Sequence, residues 1–236
     1  MKRIGVLFTI YYLISVYSAV GQTTFKLRSG INFNTLREKG KSYYESIYKS
    51  GTGFHIGTTA IIPLNKSFSI ESGPLLSLKT FKVQEIINPF GPGSSVNRTI
   101  QIWYIEVPLN LVYRRKYQKG EYYISIGPYV AFGLTGNNKG SFDDQDFENN
   151  VVFRNELSGR DIYVQLDKTK KFLKRNDIGF NLAAGYEFSN KISLQLNGQL
   201  GFFNLQPNAK WNSEFSTPDI TLKSAGFGAS LGYRFK

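Results

Sequence analysis

Few side chains in this sequence are of the types that carry out chemistry. His55 is the only histidine and cysteine is absent, which excludes thiolate nucleophiles, thiolate metal ligands and disulfides. A lipid-modifying enzyme built on a β-barrel would pair a histidine with a serine or an acid near the barrel rim. No fixed motif surrounds His55, so we expect a hydrogen-bonded histidine inside the fold.

Three glutamates, Glu71, Glu106 and Glu187, could act as paired carboxylates in acid–base catalysis. Each falls on the polar row of a predicted strand, where cations outnumber the acids, and we expect ion pairs that fill the interior of the fold. We therefore predict that the protein is not an enzyme, with no catalytic residues, no cofactor-binding residues and no metal ligands.

The segment 135–176 is the strongest candidate for binding. It contains an acidic group and a basic group: Asp143, Asp144, Asp146 and Glu148, then Lys168, Lys170, Lys171, Lys174 and Arg175. The acidic group lacks the spacing and the glycine of a calcium loop, whereas the basic group could contact lipid phosphates. Between them, 151–157 and 160–166 could pair as a hairpin above the fold. The alternative is a solvated loop that binds nothing.

Eight stretches alternate apolar with small or polar residues at a period of two, which predicts β-strands. They cover residues 24–33, 53–62, 68–80, 101–113, 122–134, 177–188, 192–203 and 224–236. Short connections near 63–66, 115–120 and 189–191 alternate with long ones at 36–51, 81–99, 135–176 and 204–220. This alternation is typical of outer-membrane barrels, which have short periplasmic turns and long outer loops. Pro108 and Pro128 fall inside strands and predict bulges.

The distribution of charge and aromatic residues indicates which row faces lipid. The polar row carries glycines and opposed charges, whereas the apolar row carries no Lys or Arg and has aromatic residues near the strand ends. We predict an all-β fold, an eight-stranded antiparallel up-and-down transmembrane β-barrel, with a soluble lipocalin-type barrel as the alternative. Side chains just fill the interior of eight strands, so an open pore is not expected.

The N-terminus has the pattern of an export signal. Lys2 and Arg3 precede an apolar run over 4–20, and Ala19 and Gly21 occupy the positions that a signal peptidase reads. We predict a cleaved signal peptide at 1–21, a barrel domain at 22–236 and localisation in the outer membrane. The alternative is an uncleaved helical anchor.

The formal net charge of +12 raises the question of an anionic partner. The basic residues are spread over many segments and no nucleic-acid motif is present, so we expect no nucleic-acid partner. Outer-membrane lipid and lipopolysaccharide are the expected electrostatic partners.

The wall segments resemble the PorT-type outer-membrane β-barrel family of Gram-negative bacteria. The matching pieces are YIEVPLNLVY (104–113), SIGPYVAFGL (125–134), DIGFNLAAGYEF (177–188), LQLNGQLGFFNL (194–205) and LGYRF (231–235). The resemblance implies the barrel fold and, through family members named for secretion, a role with secretion or envelope proteins. We expect a non-enzymatic barrel that acts through its long outer loops. The alternatives are a secretion or assembly component, a narrow small-solute channel and a lipid-modifying enzyme.

Overall fold

The structure is a computed structural model that describes residues 23–40, 45–87, 94–142, 145–158, 169–209 and 220–235. The predicted signal peptide at 1–21 lies outside the described residues. Within these ranges, no helix has the length and hydrophobicity needed to span a bilayer.

The described chain is built from β-strands. In order they are β1 Thr24–Lys39, β2 Glu45–Pro63, β3 Phe68–Ser72, β4 Leu75–Ile87, β5 Ser94–Tyr117, β6 Gly120–Phe142, β7 Gln145–Asn150, β8 Val152–Phe153, β9 Glu156–Leu157, β10 Phe172–Leu173, β11 Asn176–Phe188, β12 Ile192–Gly201, β13 Asn208–Ala209 and β14 Thr221–Phe235. Ten of them form one sheet, in which β14 pairs with β1 and β5 pairs with β6, so the sheet closes into a ring. Each pairing in this ring is antiparallel.

The predicted strand 68–80 is divided into β3 and β4 at Gly73 and Pro74. The register with β2 and β5 continues unchanged across the division. The continuing register places Pro108 of β5 opposite Gly73, and Pro108 has no N–H to donate to the ladder there. β3 and β4 therefore occupy one strand position in the barrel wall, between β2 and β5.

The predicted bulges at Pro108 and Pro128 are wrong. The register between β5 and β6 is the same on both sides of Pro108 and Pro128, and it shifts instead between Trp103 and Tyr104. A second shift lies between Ser50 and Phe54, where β2 pairs with β4. The prolines lie almost opposite each other, so their missing donors fall at neighbouring ladder positions and the strands need no extra residue.

The apolar row faces outward, as predicted. Leu196 is 69% exposed and Phe227 is 62% exposed, whereas Lys26, Glu71 and Asp177 are at most 3% exposed. A soluble carrier barrel has the opposite polarity, so the wall is that of a membrane barrel.

Aromatic residues mark the two edges of this apolar wall. On β5, Trp103 contacts Phe54 near one edge and Tyr113 contacts Phe68 at the other. Ten residues separate Trp103 from Tyr113, which at about 3.3 Å per residue and a strand tilt of about 40° gives a height of about 25 Å. This is the height of the lipid-facing band of outer-membrane barrels.

The wall strands are longer than predicted, and the loops predicted at 36–51, 81–99 and 135–176 are correspondingly shorter. β1 reaches Lys39, β4 reaches Ile87, β5 starts at Ser94 and β6 reaches Phe142. Beyond Trp103 the alternation on β5 continues with inverted polarity, because Ile100 and Ile102 are buried inside while Gln101 is exposed outside. We call the strand segments beyond the Trp103 level the outer extension. Much of the predicted loop 204–220 lies outside the described residues.

Candidate functional site

Two clusters of ion pairs occupy the interior between the aromatic belts. The lower charge cluster comprises Lys26, Glu71, Arg114, Glu187 and Arg234. Glu71 lies 3.0 Å from the Lys26 ammonium and 3.6 Å from the Arg114 guanidinium, and Arg114 also reaches Glu187 at 3.4 Å. Two of the three glutamates considered as catalytic acids are therefore held by cations.

The upper charge cluster comprises Lys79, Glu106 and Asp177. The Lys79 ammonium lies 3.5 Å from Glu106 and 3.3 Å from Asp177. Tyr129 and Ser224 donate hydrogen bonds to Asp177 at 3.1 and 2.7 Å. These contacts go to Asp177 Oδ2, whereas Asp177 Oδ1 is buried without a hydrogen-bond partner in the described part of the protein. Ion pairs of this kind are suited to filling the interior rather than to moving protons.

His55 does lie beside a serine, but in the interior of the barrel. Its Nε2 is 2.9 Å from the Ser230 hydroxyl, and Ser230 donates to Asn197 at 3.1 Å. Gly30 lies between His55 and Ser230 in register, and a Cβ there would be 2.9 Å from the imidazole. Because Ser230 donates its proton away from the histidine, the pair lacks the geometry of a nucleophile and its general base.

A small polar cavity lies next to this pair. It has a volume of about 40 Å³ and is lined in part by Arg28, His55 and Asn110. Arg28 Nε and Asn110 Oδ1 are buried without a hydrogen-bond partner in the described part of the protein. A polar site of this size holds one or two water molecules.

The interior of the outer extension is apolar. Inward side chains of the wall pack with side chains from the connecting segments, and we call this cluster the apolar plug: Leu36, Phe81, Val83, Ile100, Ile102, Tyr104, Tyr129, Ala131, Val151, Leu173, Leu205 and Leu222. Ile100, Ile102, Leu173 and Leu205 have no exposed surface. The plug closes the outer end of the barrel above the upper charge cluster.

The second strand of the predicted hairpin of 151–157 with 160–166 lies outside the described residues, so the hairpin stays a prediction. β8 pairs in parallel with β10, and β9 pairs in parallel with β13. Val151 is buried in the plug, whereas Leu157 is buried in a separate small cluster with Phe172. The apolar residues of this segment therefore pack inward at both places.

The acidic and basic groups of 135–176 are partly described. Asp143, Asp144 and Lys168 lie outside the described residues. Glu148 accepts a hydrogen bond from Asn137 at 2.6 Å and lies 3.0 Å from the Lys139 ammonium, and these contacts lower the pKa of its carboxyl. Lys171 lies 3.9 Å from Glu85, and Arg175 lies over Phe132 and Phe153. The described part of the chain contains no group of metal-binding residues.

A concave surface lies on the outside of the outer extension, where β7 continues the sheet past β6. This outer groove has a volume of about 740 Å³, and Lys49, Lys82 and Lys139 line it. Sequence reasoning missed these three lysines because it assigned their segments to loops. The signal was present as continued alternation in FKVQEII (81–87) and VNRTIQI (96–102).

A comparison with protein families agrees with this architecture. The family model of the outer membrane protein beta-barrel domain matches residues 21–206. The chain is similar to the solved structure of Ail, the attachment invasion locus protein of Yersinia pestis, with 14% identity, 90% of this chain and 98% of that chain covered, and a TM-score of 0.39. OprG from Pseudomonas aeruginosa is 12% identical, with 90% of this chain and 95% of that chain covered and a TM-score of 0.40. No curated protein matches the chain.

The family match covers well over half of the chain. It is a match to the barrel domain as a whole and does not favour the PorT-type role in secretion. The closed antiparallel ring, the exposed apolar wall and the paired interior charges are the features that such a domain requires. The chain belongs to the outer membrane protein beta-barrel domain family and is an outer-membrane β-barrel protein.

Proposed function

We propose that this protein is a closed, non-enzymatic barrel of eight wall strands that acts through its outer extension. The count takes β3 and β4 as one wall strand, because the register runs unchanged across the division between them. With β1, β2, β5, β6, β11, β12 and β14, this gives the even number that places both chain ends on the side of the short turns.

The single observation that carries the proposal is the filled interior. The two charge clusters occupy the membrane-spanning part, and the apolar plug closes the outer part. The interior cavity of about 40 Å³ leaves room for water but not for a solute. The filled interior supports assigning the function to the outside of the barrel.

The absence of enzymatic activity is supported by the position of His55. It is 5% exposed and points to the interior, on the opposite face of the wall from the lipid. Its serine partner donates to Asn197 rather than to the imidazole.

The proposal includes a cleaved signal peptide at 1–21 and a barrel domain at 22–236, supported by the basic start, the apolar run and the small residues of the N-terminus. Its partner is the outer-leaflet lipid, lipopolysaccharide. Support comes from cations that follow the apolar band on neighbouring strands, such as Arg37 and Lys223, which lie directly opposite each other on β1 and β14.

Conductance tests this function. We expect the mature protein, refolded and inserted into a planar bilayer, to give no unitary current steps above background. A positive control replaces Tyr104 and Tyr129 with serine, which removes two of the largest fully buried side chains of the barrel and is expected to produce small currents. Stable unitary steps from the unmodified protein would show a channel and contradict the proposal.

A further inference from the structure

The outer groove has a layered chemistry that follows from strand register. Its surface is made by outward side chains of adjacent strands, and directly paired residues on neighbouring strands share one face. Lys49 pairs with Lys82, Lys82 pairs with Thr99, and Thr99 pairs with Lys139. One row across β2, β4, β5 and β6 therefore presents three lysines, Lys49, Lys82 and Lys139, which we call the lysine row.

A second row lies two residues further from the membrane. Gln84 pairs with Asn97, and Asn97 pairs with Ser141. These amide and hydroxyl groups also line the groove. On β7 the second row ends in Asp146, which pairs with Ser141 and also lines the groove. Proceeding outward, the wall therefore shows the aromatic belt at Trp103, then the lysine row, then a row of hydrogen-bonding groups that is neutral on β4, β5 and β6.

The height of the lysine row corresponds to the headgroups of the outer leaflet. Thr99, which belongs to this row, is four residues beyond Trp103. At about 3.3 Å per residue and a tilt of about 40°, this is about 10 Å above the aromatic belt. The interfacial region of a bilayer begins at that belt and extends outward by about 5–8 Å. The backbone of the row therefore lies just beyond this region, and the long lysine side chains can reach back to the headgroups.

Two of the three lysines in the lysine row, Lys49 and Lys82, have no compensating negative charge within the described ranges. Lys49 and Lys82 are directly opposite each other, an arrangement that destabilises a sheet unless an anion lies between the cations. Within the described ranges neither has an ion-pair partner, whereas Lys139 is paired with Glu148. An anionic group bound between the first two lysines would remove this repulsion.

We infer that the outer groove binds the phosphorylated sugar headgroup of lipopolysaccharide. The lysine row takes the phosphates next to the membrane, and Gln84, Asn97 and Ser141 hydrogen-bond the sugar hydroxyls beyond them. The groove volume of about 740 Å³ is within the range of small-molecule sites and accommodates a disaccharide. This inference rests on the proposed function, because binding in the outer groove contributes to function only if the protein acts through its outer extension.

The test is a lipid titration of the full-length mature protein, refolded in zwitterionic detergent. The probes are lipid A with two phosphates, lipid A with one phosphate, and phosphatidylglycerol. We expect the K49Q, K82Q and K139Q variants each to weaken binding of bisphosphorylated lipid A about fivefold, the usual effect of one basic residue beside an anionic lipid surface. The triple variant is expected to lose about 100-fold, with a smaller loss for the monophosphorylated probe.

A control variant removes two lysine charges at the other end of the barrel. Lys66 and Lys191 lie in the short turns and are exposed, and the K66Q/K191Q variant is expected to bind lipid A like the parent. The E148Q variant is expected to raise the affinity for lipid A severalfold, because it releases Lys139 from its ion pair. Circular dichroism and the gel mobility of the folded barrel verify that each variant is folded.

The outcomes separate this inference from the proposed function. A closed barrel whose triple variant binds lipid A as tightly as the parent overturns the inference alone. Equal losses for lipid A and phosphatidylglycerol also overturn it, because they show a non-specific anionic surface. A conducting barrel that still loses lipid A binding in the triple variant overturns the proposed function alone.

Discussion

At the scale of single residues, the interior charges are not equivalent. Glu71 is shared by Lys26 and Arg114, and Glu187 by Arg114 and Arg234, so each carboxylate of the lower charge cluster has two cations. In the upper charge cluster, Lys79 is the single ion-pair partner of Glu106 and Asp177 within the described residues. Removing one partner of a buried pair leaves an uncompensated charge, which costs far more than the pair itself contributes.

We therefore predict that K79M destabilises the barrel by about 3–5 kcal/mol, and that K26M costs distinctly less because Arg114 still neutralises Glu71. Urea unfolding in micelles, followed by tryptophan fluorescence, measures both. Both substitutions put a similar apolar side chain at a fully buried lysine, so each is the control for the other. A K26M variant that is as unstable as K79M would contradict this account.

At the scale of one element, the outward face of β5 contacts lipid along one part of the strand and water along the other. Its outward side chains are apolar from Trp103 to Tyr113 and polar from Asn97 to Gln101, while its inward side chains change from polar to apolar at the same level. The period of two is constant, so the change is one of polarity and not of conformation.

This change of solvent predicts a position-dependent cost of charge on the outward face of β5. Leu109 is near the middle of the lipid-facing band and 53% exposed, and we expect L109K to cost about 2–4 kcal/mol of folding free energy. We expect Q101K, on the same face of the same strand but above the band, to change stability by less than about 0.5 kcal/mol. Reversible unfolding in lipid vesicles compares the two, and similar costs would show that the band does not end at Trp103.

At the scale of the whole molecule, the barrel wall encloses two different cores, one charged and one apolar. The membrane-spanning part is organised around the two charge clusters, and the outer extension is organised around the apolar plug. The wall strands run through both parts, but the interior contacts of each part are largely its own. Local opening of the outer extension is therefore expected without unfolding of the membrane-spanning part.

Hydrogen exchange of an L173D variant tests this separation. Leu173 is fully buried in the plug, and a carboxylate there is expected to speed amide exchange in 96–102 of β5 by at least tenfold. The amides of 104–113, in the same strand but within the membrane, are expected to exchange at the parental rate. L64D, in an exposed short turn at the other end, is the matched control and should leave both segments unchanged. Faster exchange along all of β5 in L173D would show a single cooperative unit.

The sequence by itself determined the strands of the wall, their direction, the outward apolar row and the inward charges, because a period of two with glycines and opposed charges on one row is compatible with few other folds. It also indicated that Glu71, Glu106 and Glu187 pair with cations, since the wall has no other place for them. Only the tertiary structure decided where the strands end, because the polarity inverts beyond Trp103 and a polar outward row resembles a loop. It also decided that Lys49, Lys82 and Lys139 share one surface: residues this far apart in the chain become neighbours through strand register, which depends on the bulges at Ser50–Phe54 and Trp103–Tyr104.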